Sequence, residues 1–304
     1  MTHDKFKIPV NGPKAWLLAA RPKTLTGAVA PVLVGAALAW NEHGMRLLHS
    51  SGWVAVVLCA LFALVMQIDA NFVNDYFDFK KGTDRADRLG PERACAQGWV
   101  TPRAMMRPII ATTVAGCAVG LPLVWFGGWW MLLVGAVCVV AAVLYTTYLS
   151  YRGWGDVMVL LFFGLVPVVF TYACATAPLG GACWTRALIL GAGMGLVTDC
   201  LLMVNNYRDV EQDRVSGKRT VVVRFGPKVA LALYLCLGVA GCVAVVMSEP
   251  RNPYLALMLL YLLLHQDTWH KMASLSGRDL NRVLGQTARN IFIYGVLVAL
   301  LLCL

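Results

Sequence analysis

The chain has 304 residues, of which 59% are hydrophobic and only 14% charged, a balance that excludes a soluble globular domain. Its formal charge of +10 invites a nucleic-acid reading, but the Lys and Arg residues form no block and have no polar domain to sit on. The partner that this composition calls for is membrane lipid, and no nucleic acid is expected.

Ten Cys stand singly, mostly inside apolar runs, with no C-x-x-C pair and no His at metal-ligand spacing, and read as small core residues. The N-terminus carries Asp4, Lys5 and Lys7 and no cleavable apolar region before Trp16, so the first apolar run is expected to be a retained span. Taking about 20 apolar residues per crossing, nine spans are predicted: 24–41, 53–75, 104–126, 129–148, 157–177, 184–206, 228–247, 253–270 and 287–304. The fold class is therefore all-α, a polytopic bundle of nine helices in a single domain over 1–304. Alternate loops test the count, because cytoplasmic loops gather Lys and Arg. With this threading, 23 of the 26 bases fall on one side and only Arg46, Arg186 and Arg251 on the other. The N-terminus is then cytoplasmic and the C-terminus outside. The cluster at 265–270 ends the eighth span, and the stretch that follows, as far as Arg289, reads as an interfacial helix contacting headgroups.

Between the second and third spans, residues 67–93 put acid, amide and base at the mouth of an apolar segment. As a helix, Asn71, Asp75 and Asp78 fall at i, i+4 and i+7, which puts three oxygen-bearing side chains on one face over roughly 10 Å. The run Val73-Asn74-Asp75-Tyr76-Phe77-Asp78 is echoed by Val204-Asn205-Asn206-Tyr207-Arg208-Asp209, with Asp213 one turn on. Both ladders leave their spans on the cytoplasmic side. One such Asp alone is commonly a solvated helix end. Two clusters on one membrane face, the first extended by Asp84 and Asp87, need a counter-charge, either a bound cation or nearby Arg and Lys, and the donor set suits Mg²⁺ shared with a substrate phosphate. Lys81, Arg88, Arg93, Arg214, Lys218 and Arg219 are then candidates for diphosphate oxygens, although the positive-inside bias alone would also populate these loops. Tyr145, Tyr148 and Tyr151 line an aromatic wall or belong to an interface belt. Asp69 and Asp199 sit deeper in their spans, where a carboxylate faces either a cavity or a partner.

The Asn-Asp-Tyr-Phe-Asp run after span two and the Asn-Asn-Tyr-Arg-Asp-x-x-x-Asp run after span six resemble those of UbiA-type intramembrane prenyltransferases. Five further stretches resemble the branch that prenylates 1,4-dihydroxy-2-naphthoate: Arg21-Pro22-Lys23-Thr24-Leu25, Lys81-Gly82-Thr83-Asp84, residues 87–94, Tyr151-Arg152-Gly153-Trp154-Gly155-Asp156, and Leu280-Asn281 with Thr287-Ala288. The resemblance implies a helical bundle around a central cavity open to the cytoplasmic side. It implies a polyprenyl diphosphate donor, 1,4-dihydroxy-2-naphthoate as acceptor, demethylmenaquinone as product, and Mg²⁺, as two ions bound with the diphosphate. By motif, Asn71, Asp75, Asp78, Asp209 and Asp213 are the metal residues, the four Asp also being catalytic. Asn74, Tyr145, Arg152, Asn205 and Asn206 join Asn71, Lys81, Arg88, Arg93, Lys218 and Arg219 in binding substrate. A ring hydroxyl could lose its proton to Asp78, Asp84 or Asp156. Two other readings stay open: a different aromatic acceptor, and an ion-coupled transporter with intramembrane carboxylates, which would account for Asp69 and Asp199.

Overall fold

The structure, a computed structural model, describes residues 8–82 and 88–304. Asp4, Lys5, Lys7, Thr83, Asp84, Arg85 and Asp87 lie outside the described residues. All regular structure among the described residues is helical.

A short helix, α1 (Pro13–Ala20), ends at Arg21, whose left-handed backbone (φ 51°) turns the chain into α2 (Leu25–His43). Then follow α3 (Gly52–Lys80), α4 (Pro102–Gly127), α5 (Trp130–Arg152), α6 (Gly155–Thr176), α7 (Trp184–Arg208), the short α8 (Val210–Val215), α9 (Pro227–Ser248), α10 (Leu257–Ser274) and α11 (Leu280–Cys303). Both α5 and α6 contain one π-helical stretch, at Tyr145–Leu149 and Leu161–Leu165.

Eight helices of the described residues are long and apolar enough to cross a membrane, and the chain is an integral membrane protein. The expected eighth span, α10, is not among them. It has 18 residues, and its second half carries His265, Asp267, His270 and Lys271. That polar half also faces inward in part. His265 is buried and stacks on Tyr234 at 4.7 Å between ring centroids, while Asn290 of α11 donates to Thr268 Oγ1 at 2.8 Å. The expected interfacial helix up to Arg289 is likewise corrected. Leu280–Cys303 is one continuous helix, whose buried Leu280, Val283, Thr287, Asn290 and Ile291 recur at the three- and four-residue spacing of a packed face.

At the centre, α7 packs against α9, α6, α11 and α2. Lipid offers no hydrophobic drive between helices, so close contact depends on small residues. A Cβ at Gly164 would come within 2.5 Å of the Gly191 carbonyl oxygen, so α6 and α7 meet backbone to backbone. At the end of the bundle remote from α8, Arg186 binds Glu42 at 3.0 Å and Glu249 at 2.5 Å, and Tyr172 donates to Glu42. This cluster joins α2, α6, α7 and α9, and neutralises one of the three bases on the base-poor side.

Candidate active site

The 29 residues of α3 are about 44 Å long at 1.5 Å per residue, against about 30 Å of hydrocarbon. Its last turns, which carry both acids and amides, therefore project past the apolar layer. Beneath them lies a cavity of about 320 Å³, bordered at its polar end by Gln67, Asn74, Tyr145 and Asn205 and at its far end by Phe62, Leu123 and Met131.

At the mouth, charges from distant segments converge. Asp78 accepts from Arg93 Nη2 at 3.2 Å, with both side chains largely buried. Arg88 lies within electrostatic reach of Arg93, Asp209, Asp78 and Arg208; burial, and secondarily Arg93, pulls its pKa down to about 10. Arg21, which sequence reasoning did not place in the site, reaches the same point. Its charge is felt with those of Arg93, Asp75, Arg88 and Asp78, and its buried Nη2 has no hydrogen-bond partner. Four guanidinium groups, of Arg21, Arg88, Arg93 and Arg208, thus gather with three carboxylates, of Asp75, Asp78 and Asp209, and leave a net positive pocket suited to an anion.

The second ladder is organised by Arg208, which sequence reasoning placed within the second motif but gave no role in the site. It is 4% exposed and donates to both oxygens of Asp209, from Nε at 2.7 Å and Nη2 at 2.6 Å. It donates also to Asn281 Oδ1 at 2.8 Å and Asn205 Oδ1 at 3.1 Å. Asn281 in turn donates to the Leu89 carbonyl at 2.8 Å, which ties α11 and the end of α7 to the loop after α3. A Cβ at Gly90 would lie 2.7 Å from Arg208 Nη2, so a larger residue there would press on the guanidinium. Asp213 pairs with Lys218 at 3.2 Å; burial raises its carboxyl pKa and the Lys218 charge lowers it again in part. Asn206 is buried on α7 one residue from Asn205.

The first ladder divides. Asn74 and Asp78 face the cavity and mouth, and Thr146 donates to the Asn74 oxygen. Asp75 stands 100° round the helix from Asn74. It is fully buried, and its two oxygens accept the backbone N–H groups of Ala94 and Cys95, each at 2.9 Å. Asn71 donates to the Ala20 carbonyl at 2.9 Å and to Thr24 at 3.0 Å. Both side chains therefore fasten neighbouring segments to α3. Lys81 donates to the Thr147 carbonyl at 2.5 Å and sits 4.0 Å from the centre of the Tyr151 ring; burial lowers its pKa, and Asp78 offsets part of that. Arg152 covers Tyr148 at 4.1 Å, and the Arg219 backbone N–H donates to the Tyr151 carbonyl, so the loops after α5 and α8 are joined beside the mouth. Asp69 is turned away from the cavity towards α4, where Thr112 and Thr113 donate to one of its oxygens at 2.6 and 3.0 Å.

No three His, Cys, Asp or Glu side chains gather at one point among the described residues. The polar donors at the mouth are carboxylate and amide oxygens, which suit a hard cation completing its shell with water and phosphate oxygens.

This is an intramembrane helical bundle whose apolar cavity opens beneath a mouth lined by Arg and Asp residues, the architecture of an enzyme acting on a lipid with a phosphorylated head. Residues 28–284 match the UbiA prenyltransferase family, and the chain belongs to that family. It is 38% identical over 240 residues to the 1,4-dihydroxy-2-naphthoate octaprenyltransferase of Escherichia coli K12, covering 75% of this chain and 74% of that protein. The Mycobacterium leprae protein of the same name is 33% identical over 292 residues, covering 93% and 94% of the two chains. Among solved structures, the fold matches the apo UbiA homologue of Aeropyrum pernix K1 with a TM-score of 0.70 at 17% identity, over 92% of this chain and 98% of that one. It also matches the Archaeoglobus fulgidus homologue bound to DMAPP and Mg²⁺, with a TM-score of 0.58 at 15% identity over 93% and 98%.

Proposed function

We propose that the protein transfers a polyprenyl group from polyprenyl diphosphate to 1,4-dihydroxy-2-naphthoate, with loss of CO₂ and diphosphate, giving demethylmenaquinone. The observation that carries this reading is the convergence of Arg21, Arg88 and Arg93 on the mouth of an apolar cavity. A diphosphate head and a prenyl tail need just those two environments side by side. The names of the two bacterial relatives supply the acceptor. In this reading the bundle crosses the membrane nine times, with α10 as the short crossing, the N-terminus and mouth cytoplasmic and the C-terminus outside.

Asp78, Asp209 and Asp213 are the residues that would hold Mg²⁺, with Asn74 and Asn205 beside them, while Asn71 and Asp75 keep the surrounding backbone in place. Mg²⁺ bound there supplies neutralising charge to the departing diphosphate. The chain's own cations do the same from fixed positions: Arg93 is already directed by Asp78 before the ligand arrives, with Arg88 within electrostatic reach, so little reorganisation accompanies cleavage of the allylic C–O bond. The cavity walls exclude water from the allylic cation, and Tyr145 lines the point at which the tail meets the mouth. The electron-rich naphthoate ring attacks, and CO₂ leaves from the substituted carbon.

The test is turnover by the purified protein of a prenyl diphosphate with 1,4-dihydroxy-2-naphthoate, with the products weighed by mass spectrometry. The expected result is the prenylated, decarboxylated naphthoquinol, abolished by a divalent-metal chelator and restored by Mg²⁺. Full activity in saturating chelator, or no diphosphate release with any aromatic acid, would refute the reading.

A further inference from the structure

Two carboxyl groups near the cavity, one buried and one half-buried, have no part in the chemistry described so far. Asp199, on α7, is 6% exposed, and its Oδ1 is buried without a hydrogen-bond partner. Asp156 stands in the first turn of α6, and its Oδ1 is likewise buried without a partner. The packing of α6 on α7 puts them opposite each other. A Cβ on Gly155 would lie 3.0 Å from Leu202 Cδ2, and one on Gly195 would lie 2.7 Å from the Leu160 carbonyl oxygen. Gly195, Asp199 and Leu202 fall at i, i+4 and i+7, so Asp199 occupies the middle of the strip facing the first turns of α6. The neighbours of both acids, Met158 and Val159 on α6 and Thr198 and Leu202 on α7, line the cavity, as does Tyr145.

The titratable groups within reach of Asp199 among the described residues are Asp156, Tyr145 and Cys200, and no Lys or Arg is among them. Tyr145 is also within reach of Asp156, of Asp78 and of the Arg93 that pairs with Asp78, which sets this group beside the reacting end of the cavity. The other acids of the site are different in kind. Asp78, Asp209 and Asp213 are each ion-paired, with Arg93, Arg208 and Lys218 respectively, so their oxygens are already engaged by a cation. Two facing carboxyls with no Lys or Arg paired to either disfavour a second negative charge, so one can offer a basic oxygen while the other offers an O–H.

We infer that Asp199 and Asp156, facing each other beside Tyr145, form the catalytic pair that takes the proton of the acceptor's ring hydroxyl during prenyl transfer and later returns it. This rests on the reading of the protein as an aromatic prenyltransferase. As the prenyl C–O bond breaks, its electron pair leaves with diphosphate. The acceptor O–H proton passes to the carboxylate, the O–H pair becomes a carbonyl π bond, and the ring π pair forms the new C–C bond. When CO₂ departs, the pair of its C–C bond re-enters the ring, and the carboxyl returns the proton to the oxygen. Protons and electrons balance without an oxidant.

The experiment uses the full chain in detergent, with Asp199→Asn and Asp156→Asn assayed across pH against a panel of hydroxylated aromatic acids that includes 1,4-dihydroxy-2-naphthoate. Affinity for a non-transferable prenyl thiodiphosphate is measured alongside. Asp199→Asn is expected to lower kcat/KM for the acceptor about 100-fold or more at pH 7, the scale of a lost general base, with thiodiphosphate affinity unchanged. Its activity should then climb about tenfold per pH unit towards the acceptor's own ionisation, since an ionised hydroxyl needs no base. Asp156→Asn should move in the same direction. A folded variant at either position with the wild-type acceptor kcat/KM and pH profile overturns the pair, and Asp156→Asn alone decides it if Asp199→Asn does not fold. A wild-type enzyme that ignores the naphthoate but prenylates another acid of the panel overturns the acceptor assignment instead, and the same comparison on that acid then judges the pair. Inertness to the whole panel overturns both.

Discussion

Replacing Arg208 by Lys should loosen the whole mouth while leaving its charge unchanged. The guanidinium holds both oxygens of Asp209 at 2.6–2.7 Å and reaches Asn281 at 2.8 Å and Asn205 at 3.1 Å. An ammonium on a flexible stem cannot serve those three side chains together. Hydrogen bonds to charged groups contribute about 1.5–3 kcal/mol each. Keeping one or two contacts to Asp209 and losing those to the two Asn residues therefore costs about 3 kcal/mol. For a chain of this size that is a fall in Tm on the order of 10 °C or less. If about 1.4–2.8 kcal/mol of it is felt at the positioned Asp209, kcat/KM for prenyl diphosphate falls tenfold to a hundredfold. Because the same guanidinium braces Asn281 against Leu89, Asn281→Ala should reproduce part of the loss, and the double variant should fall short of the sum. Thermal unfolding in detergent and steady-state kinetics at varied donor concentration measure both quantities. Wild-type Tm and kcat/KM in Arg208→Lys, or strict additivity with Asn281→Ala, would refute the bracing role.

Asp75→Ala should abolish turnover and also lower Tm, since it leaves two buried backbone N–H groups unsatisfied at a cost of about 1–3 kcal/mol each; unchanged thermal stability would show that those contacts contribute nothing. Asp69→Asn should reduce activity far less than Asp209→Asn, because its partners are two threonines of α4; equal loss in folded proteins would place it at the reacting centre. Lys218→Met should move the acid limb of the kcat/KM profile to higher pH. Burial already raises the Asp213 pKa and the Lys218 charge lowers it, so removing that charge means the carboxylate is lost at a higher pH as the solution is acidified; an unmoved limb counts against Asp213 acting as a carboxylate. A cysteine at Gly180 should react only from outside, while Lys81 and Arg219 are labelled only from the cytoplasm; reactivity of all three from one side would overturn the proposed orientation.

The helices were legible because each apolar run of about 20 residues has one economical fate in lipid. Boundaries failed where polar residues belong to a packed face. Asn281, Arg282, Gln286 and Arg289 hide the first turns of α11 from a hydropathy reading, yet its buried positions keep a helical period through Thr287 and Asn290. The same difficulty affected α10, whose His265 and Thr268 look like the polar end of a span in sequence and are core residues in space. A polar residue records only its chemistry; whether lipid headgroups or a neighbouring helix satisfies it depends on packing that no single run contains.

The candidate site was legible in composition and opaque in pairing. Spacing along α3 put Asn71, Asp75 and Asp78 on one face, and they are within 60° of each other. That arc is wide enough for Asp78 to meet Arg93 while Asp75 meets the backbone of Ala94 and Cys95. Backbone N–H groups leave no trace in a sequence, so the role of Asp75 could not be separated from that of its neighbour. Arg21 and Asn281 stood in recognisable motifs, but nothing local says that they reach the same mouth across 60 and more than 190 residues of chain. What the pairing adds is direction. Acids already hold Arg93 and Arg208, the latter against Asn281 and the loop carbonyl of Leu89. A diphosphate would therefore enter a field whose donors are aimed before it arrives, and a change in any bracing residue should weaken the transition state more than the simple count of charges suggests.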